Sequence, residues 1–306
     1  MLQVVILGEQ GSGKTTFLGL LYATQVRSGS DKADDFRFHA TFESLDEVTV
    51  LFQRLMSGSF PDAATKEGIQ EMSFNVGFRR ARTGIRSLLG TRRWTAPASK
   101  MIHVTLLRTV DQAVSRFLQG SSIASGSLRD VLDSDVVVIL VDSTKLAPKG
   151  GDPKQETMSK YDADVESIIA AIQRWRERGG RTMLHPVLVL SKFDAVKPEV
   201  LRAANVDSTP PRVGKRVPRG TYAKAILGHN LPKTFAILQN VGRGGLRFAP
   251  PNYFFSSVRV EGAVPGRTGR IRLRQVEVVG WEPDYSRDEY LAFLEHLVAI
   301  AARTEG

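Results

Sequence analysis

The chain has 306 residues, 42% of them hydrophobic and 24% charged, with no cysteine and a formal net charge of +10. That length buries a sizeable core, and the lack of cysteine excludes a disulfide framework, a thiolate metal site and a cysteine nucleophile. No apolar run approaches the roughly 20 residues that span a bilayer, and the charge favours acidic partners without choosing among nucleic acid, anionic lipid and protein.

The first apolar run starts at Met1 with no basic leader or cleavage site before it, which predicts a cytoplasmic protein. It reads as a buried strand over Leu2 to Leu7 and passes straight into GEQGSGKTTF, residues 8 to 17. Further strands rich in Val, Ile, Leu and Phe are expected over Phe36 to Phe42, Met72 to Phe78, Met101 to Leu107, Asp135 to Val141, Pro186 to Leu190 and Tyr253 to Phe255. Between them, Ser44 with Glu47 forms a capping box, followed by Leu45, Val48, Leu51, Phe52 and Leu55 at helical spacing. A helix over Ala163 to Arg178 carries Ile168, Ile169, Ile172 and Trp175 and stops at Gly179-Gly180. Ser286 with Glu289 opens a last helix whose stripe is Tyr290, Phe293, Leu294, Leu297 and Ile300.

This alternation predicts one α/β domain, a mostly parallel central sheet flanked by helices. Segments near 79–100, 145–159 and 197–220 break it and read as insertions or loops. The first, from Arg79 to Arg93 and on to Trp94, interleaves arginines with Ile85, Leu88 and Leu89. It suits an anionic surface or, more plainly, a solvated hairpin. The five histidines have no metal-like spacing and read as structural.

Gly8, Gly13, Lys14 and Thr15 satisfy G-x-x-x-x-G-K-[ST] directly after a strand and before a helical run. Glycines let the backbone turn its N–H groups inward as an anion nest, and the helix start adds its positive end. Lys14 is expected along the β- and γ-phosphates and Thr15 on Mg2+, with Gly11, Ser12, Gly13 and Thr16 donating mainly through backbone N–H. The ligand this predicts is a nucleoside di- or triphosphate.

Two later strand ends, Ser191-Lys192-Phe193-Asp194 and Ser256-Ser257, bear on the base. With the phosphate loop, and in the same order, they resemble the N-K-x-D and S-A-K guanine motifs of Ras- and Arf-like P-loop GTPases. The resemblance implies the P-loop NTPase fold, with GTP or GDP and Mg2+ as ligands. It assigns Asp194 to the N1–H and N2 amino group of guanine and Lys192 to the base or sugar face. It also places the Ser257 N–H at the carbonyl O6, with Ser256 beside it among the nucleotide-binding residues. Ser191 stands where Asn is usual and Val258 where Lys is common.

The D-x-x-G motif of such GTPases maps onto Arg108-Thr109-Val110-Asp111-Gln112, with Arg for the Asp and Asp for the Gly. An Arg cannot ligate Mg2+, and an Asp beside the γ-phosphate adds like-charge repulsion. Gln112 falls at the water-positioning place, so Gln112 and Lys14 are the expected catalytic residues. In a shifted alignment Asp111 itself is the metal-side acid. Asp142 reads as a strand-end cap, with a metal-side acid as the alternative, and Thr41, Thr49 and Thr65 all lie where a switch threonine belongs. Hydrolysis is expected to be weak, partner-dependent or absent.

The start GSGKTTFLGLLY and the insertions are similar to the double-GTPase proteins of bacterial conflict or signalling loci. That implies a regulatory switch within a protein assembly, with a second GTPase as one possible partner. Two other readings are a pseudo-GTPase that holds GDP or GTP as an interaction module, and an ATP-dependent kinase or ATPase in which the arginine segment imitates a lid.

Overall fold

Runs of Val, Ile and Leu bounded by turn residues form the central strands of a computed structural model. It describes residues 2–26, 36–40, 45–61, 69–78, 98–107, 126–148, 154–180, 183–239, 247–262, 269–276 and 280–303. The strands are β1 (Leu2–Gly8), β2 (Phe36–Ala40), β3 (Ile69–Phe78), β4 (Ala98–Leu107), β5 (Val136–Asp142), β6 (Met183–Ser191), β7 (Arg247–Phe248) and β8 (Asn252–Phe255). Their order is β2-β3-β4-β1-β5-β6, with β7 and β8 both pairing with β6. The pairs β4-β1, β1-β5, β5-β6, β6-β7 and β6-β8 are parallel, and β2-β3 and β3-β4 are antiparallel. The register sets Gly8 beside Leu140, Asp142 beside Ser191 and Leu190 beside Phe255. Four parallel strands therefore end together, at the edge where open α/β sheets bind ligands.

Successive strand residues point to opposite faces, and the sheet separates two cores accordingly. Val5, Leu7, Ile139, Val141, Leu188 and Leu190 pack on one side. With them lie α4 (Lys154–Arg178), α5 (Pro198–Ala203), α6 (Arg216–Leu227) and α7 (Pro232–Gln239), which follow α3 (Gly126–Leu132) in the chain. Val4, Ile6, Val138, Leu140, Val187 and Val189 pack on the other side. Their helices are α1 (Lys14–Val26), α2 (Leu45–Met56) and α8 (Arg287–Arg303). The stripe expected for the last helix is there, with Tyr290, Phe293, Leu294, Leu297 and Ile300 all buried.

Several segments differ from their sequence reading. The helix expected from Ala163 begins at Lys154, inside the segment read as a 145–159 loop. The 197–220 segment holds α5 and the start of α6, because prolines at 198 and 218 sit in first turns, where a missing N–H costs nothing. Between β8 and α8 run four short strands, β9 (Val260–Glu261), β10 (Arg270–Ile271), β11 (Leu273–Val276) and β12 (Gly280–Pro283), in two antiparallel pairs. They are tied back by backbone bonds from Arg259 N to Asp284 O, Asp284 N to Arg272 O and Arg272 N to Arg259 O, each 2.8 Å. Ile271 N donates to Gly58 O, 2.8 Å away, just beyond α2. A distant side chain closes one helix end: both oxygens of buried Asp162 accept from the first-turn N–H groups of α7, Lys233 and Thr234, at 2.8 Å. Among the described residues, no helix is long and apolar enough to cross a membrane.

Candidate functional site

The phosphate loop follows from its glycines. Gly11 and Gly13 have φ of +77° and +88°, the left-handed region that other residues rarely adopt. A Cβ on Gly8 would lie 2.6 Å from Ser12 Oγ and 3.1 Å from the Leu140 carbonyl, so glycine here lets the loop fold back close to the strand end and its neighbour β5. Ser12 N then donates to Glu9 O at 3.2 Å, and Phe17 N to Gly13 O at 2.7 Å opens α1. First-turn N–H groups have no intrahelical acceptors, and no acidic residue in the first turn of α1 offsets the positive end of its dipole. Buried Lys14 folds over this turn, its ammonium donating to Gly8 O and, at 2.7 Å, to Glu9 O. Thr15 and Thr16 are half-buried beside it, and buried Ser12 Oγ has no hydrogen-bond partner. A nest of N–H groups, one ammonium and three hydroxyls fit a polyphosphate.

The neighbouring strand ends brace the loop. Glu9 Oε2 pairs with Lys145 Nζ at 2.6 Å. Asp142 Oδ1 accepts from Thr144 N at 3.0 Å and from Thr144 Oγ1 at 2.7 Å, which caps the short turn Ser143–Lys145. Its Oδ2 pairs with Lys192 Nζ at 2.7 Å. Asp142 is thus the strand-end cap that the sequence suggests. Ser191 Oγ lies 2.8 Å from Ser12 O and 3.1 Å from Val141 O, so the serine in the Asn position links the phosphate loop to the Ser191–Asp194 turn.

On the other side, Lys192 takes φ +50° and turns the chain so that Phe193 N donates to Ser256 O at 3.0 Å. The Phe193 ring packs edge-on against Phe255, centroids 4.9 Å apart, and leaves Asp194 exposed at the rim. Desolvation raises the Asp194 pKa, against the pull of N–H groups at Asp194 and Val258 and the charge of Arg259.

The first turn of α8 holds the second turn of this half. Ser256 N donates to Leu190 O at 2.8 Å, its Oγ shares a hydrogen with Tyr290 OH at 2.6 Å, and Ser257 N donates to Ser286 Oγ at 3.0 Å. Glu289 accepts Phe255 N at 3.0 Å and pairs with buried Arg219. The same guanidinium donates to Tyr253 O and to Pro211 O, and lies 4.8 Å from the Phe255 ring centroid. Burial raises the Glu289 pKa and Arg219 opposes the rise. Sequence reading missed Arg219, which sits in a stretch read as loop, and took Glu289 only for a helix cap.

The structure brings Gly11, Ser12, Gly13, Lys14, Thr15, Thr16, Lys192, Asp194, Ser256 and Ser257 to one sheet edge. Gln112, with Arg108 and Asp111, lies outside the described residues, as do Thr41, Thr65 and the Arg79 to Arg93 segment. Thr49 is inside α2. Among the described residues no three His, Cys, Asp or Glu side chains cluster as a metal site. A Mg2+ here would rest on the Thr15 hydroxyl and on oxygens of the ligand, as magnesium commonly does beside phosphates. An open cleft of about 610 Å³ lies between α5 and α6, lined by Arg202, Asp207 and Tyr222 among others, and includes none of the expected site residues.

Strand, glycine loop and helix, set in a mostly parallel sheet with helices on both faces, make up a P-loop NTPase fold. No family model matches the chain, and no curated protein does. Among solved structures the chain is similar to one described as the signal recognition particle receptor SRb-GTP/SRX complex from Chaetomium thermophilum. The identity is 12%, the TM-score 0.40, and the match covers 82% of this chain and 91% of that one.

Proposed function

We propose that this chain is a guanine-nucleotide-binding switch, holding GTP or GDP with Mg2+ and hydrolysing GTP weakly or only with a partner. The observation that carries the reading is the junction of two motifs far apart in sequence: Ser191 Oγ on Ser12 O at 2.8 Å joins the phosphate loop to the turn bearing Asp194. Lys14, Thr15 and the N–H groups of Gly11 to Thr16 hold the phosphates. Asp194 reads the N1–H and N2 amino group, which adenine does not offer together, and Lys192 covers the base. Ser256 and Ser257 close the site at the end of β8. Gln112 positions water where hydrolysis occurs.

The sequence resemblance adds the setting: one domain with insertions, acting in the cytoplasm as a regulatory subunit of a bacterial multiprotein system, with a second GTPase among its candidate partners. The Arg79 to Arg93 segment is the candidate contact for an anionic surface. Arg108 and Asp111, in place of the usual D-x-x-G, favour a second reading, in which the chain is a pseudo-GTPase that keeps its nucleotide for structure.

The test is to denature freshly purified protein and identify the nucleotide released. GDP supports the switch, intact GTP supports the holding module, and ATP or ADP overturns guanine binding in favour of a kinase or ATPase.

A further inference from the structure

We infer that this chain selects its base through the N1–H and N2 edge alone and leaves the carbonyl O6 unread, because Ser286 holds the N–H that O6 would need. The inference rests on the guanine reading above and refines it. In the β8-end turn, Ser256 N continues the sheet ladder to Leu190 O at 2.8 Å. Ser257 N, the donor that the motif assigns to O6, donates instead to Ser286 Oγ at 3.0 Å, and Ser257 O accepts Ser286 N at 3.2 Å. Both backbone groups of Ser257 are thus committed to one residue. Val258 forms an antiparallel bridge with Tyr285, and Arg259 N bonds Asp284 O, so residues 257–259 are paired along 284–286.

The hydroxyl of Ser256 is buried and paired with Tyr290 OH at 2.6 Å, where either oxygen can be the donor. An N–H already aligned on a hydroxyl gains little from a second acceptor, because the new bond only replaces the old one. Asp194 lies at the exposed rim, and although its carboxylate accepts from the N–H groups of Asp194 and Val258, two oxygens with about four lone-pair sites leave it able to accept from a base edge. The ligand class is therefore a purine nucleotide with N1–H and a 2-amino group, whatever weak acceptor stands at position 6.

Two probes separate the edges. Inosine diphosphate lacks only the 2-amino group, and 6-thioguanosine diphosphate keeps it but replaces O6 with a poor acceptor. For the wild type, inosine diphosphate should bind about tenfold or more weaker than GDP, and the thio analogue within about threefold of GDP. In Ser286→Ala the released Ser257 N–H should raise the thio penalty to about tenfold, while Ser286→Thr, which keeps the hydroxyl, should behave as wild type. Ser286 also precedes α8, so melting temperatures accompany the titrations. If Ser286→Ala does not fold, the wild-type ratios decide alone. A wild-type thio penalty of about tenfold or more overturns the inference. Binding of adenine nucleotide in place of GDP overturns the guanine reading itself, a separate result.

Discussion

The two halves of the proposed site are built in opposite ways. The phosphate half is mostly local: strand end, turn and helix start come from residues 8 to 17, and the glycines and backbone bonds that shape the turn lie in that stretch, with Lys145 on Glu9 and Ser191 on Ser12 bracing it from the neighbouring strand ends. The base half is assembled from residues 191–194, 219, 253–257 and 286–290, and what holds it is side chains reaching across the fold. A local loop loses ligand when a residue changes and keeps its fold. A cross-braced one should lose fold first, and ligand as a consequence.

The largest effect should therefore come from a brace that never meets the ligand. Arg219→Ala leaves Glu289 buried without its partner and Tyr253 O and Pro211 O without a donor, and should destabilise the protein by about 4 kcal/mol. Urea unfolding measures this, and pH supplies a sign. Burial already raises the Glu289 pKa with Arg219 beside it, and the variant raises it further. The cost comes from the charged form, so the deficit should be fully present at high pH and shrink as pH falls through the raised Glu289 pKa. A deficit that does not change with pH would assign the loss to packing on Phe255 instead.

On the phosphate half, Lys14→Ala should behave the other way, costing about 3 kcal/mol of nucleotide binding, roughly a hundredfold, with melting of the nucleotide-free protein nearly unchanged. Isothermal titration with GDP and a melt of the stripped protein give both numbers. A large loss of stability would show that the Lys14 ammonium, on Gly8 O and Glu9 O, is a structural staple as well.

That asymmetry also explains what the sequence made legible. The phosphate loop was readable because its chemistry is contiguous: positive-φ glycines, lysine and hydroxyls stand at fixed offsets after a strand. The sheet was readable because Val and Ile runs buried on both faces need no partner information, and the expected α/β class and most of its strands stand. The turns at Asp194 and Ser257 were found, but their supports were not. Arg219 lies in KRVPRG, which reads as a loop because Pro218 and Gly220 are poor helix formers, although both sit near the first turn of α6. The strands β9 to β12 are two to four residues long, with Arg270, Arg272 and Arg274 in alternate places across β10 and β11, and carry too few apolar residues for a period to show. Whether Ser257 N meets a ligand or Ser286 depends on a pairing that no local pattern encodes.

Asp194→Asn tests the base half at its exposed end, where ligand and fold should separate again. It should weaken GDP by about thirtyfold, shift preference toward xanthine nucleotide and leave stability nearly unchanged, since Asn keeps an oxygen for the N–H groups of Asp194 and Val258 at this rim position. Desolvation raises the Asp194 pKa, so wild-type GDP affinity should be flat at high pH and fall through that raised pKa, above where an ordinary aspartate titrates. The Asn variant should lack that limb of the profile. Linkage requires the converse: guanine favours the carboxylate, so binding should release a proton in the same window.

The smallest effect falls on the joint between the halves. Ser191→Ala removes one hydroxyl shared between Ser12 O and Val141 O, which should cost about 1 kcal/mol, or roughly fivefold in GDP affinity. The informative quantity is how that loss combines with the others. If Ser191 only steadies the phosphate loop, its effect should vanish in Lys14→Ala and remain whole in Asp194→Asn. If it transmits the position of one half to the other, both double mutants should be non-additive by about 0.5 kcal/mol or more, beyond what independent sites show. The second outcome is expected, because the Ser191 hydroxyl lies on the carbonyl of Ser12, inside the turn that carries the phosphate donors, and its own backbone leads directly into Lys192 and Asp194. A one-sided result would mean two independent recognition elements on one sheet edge, and a switch would then have to act through the phosphate half alone.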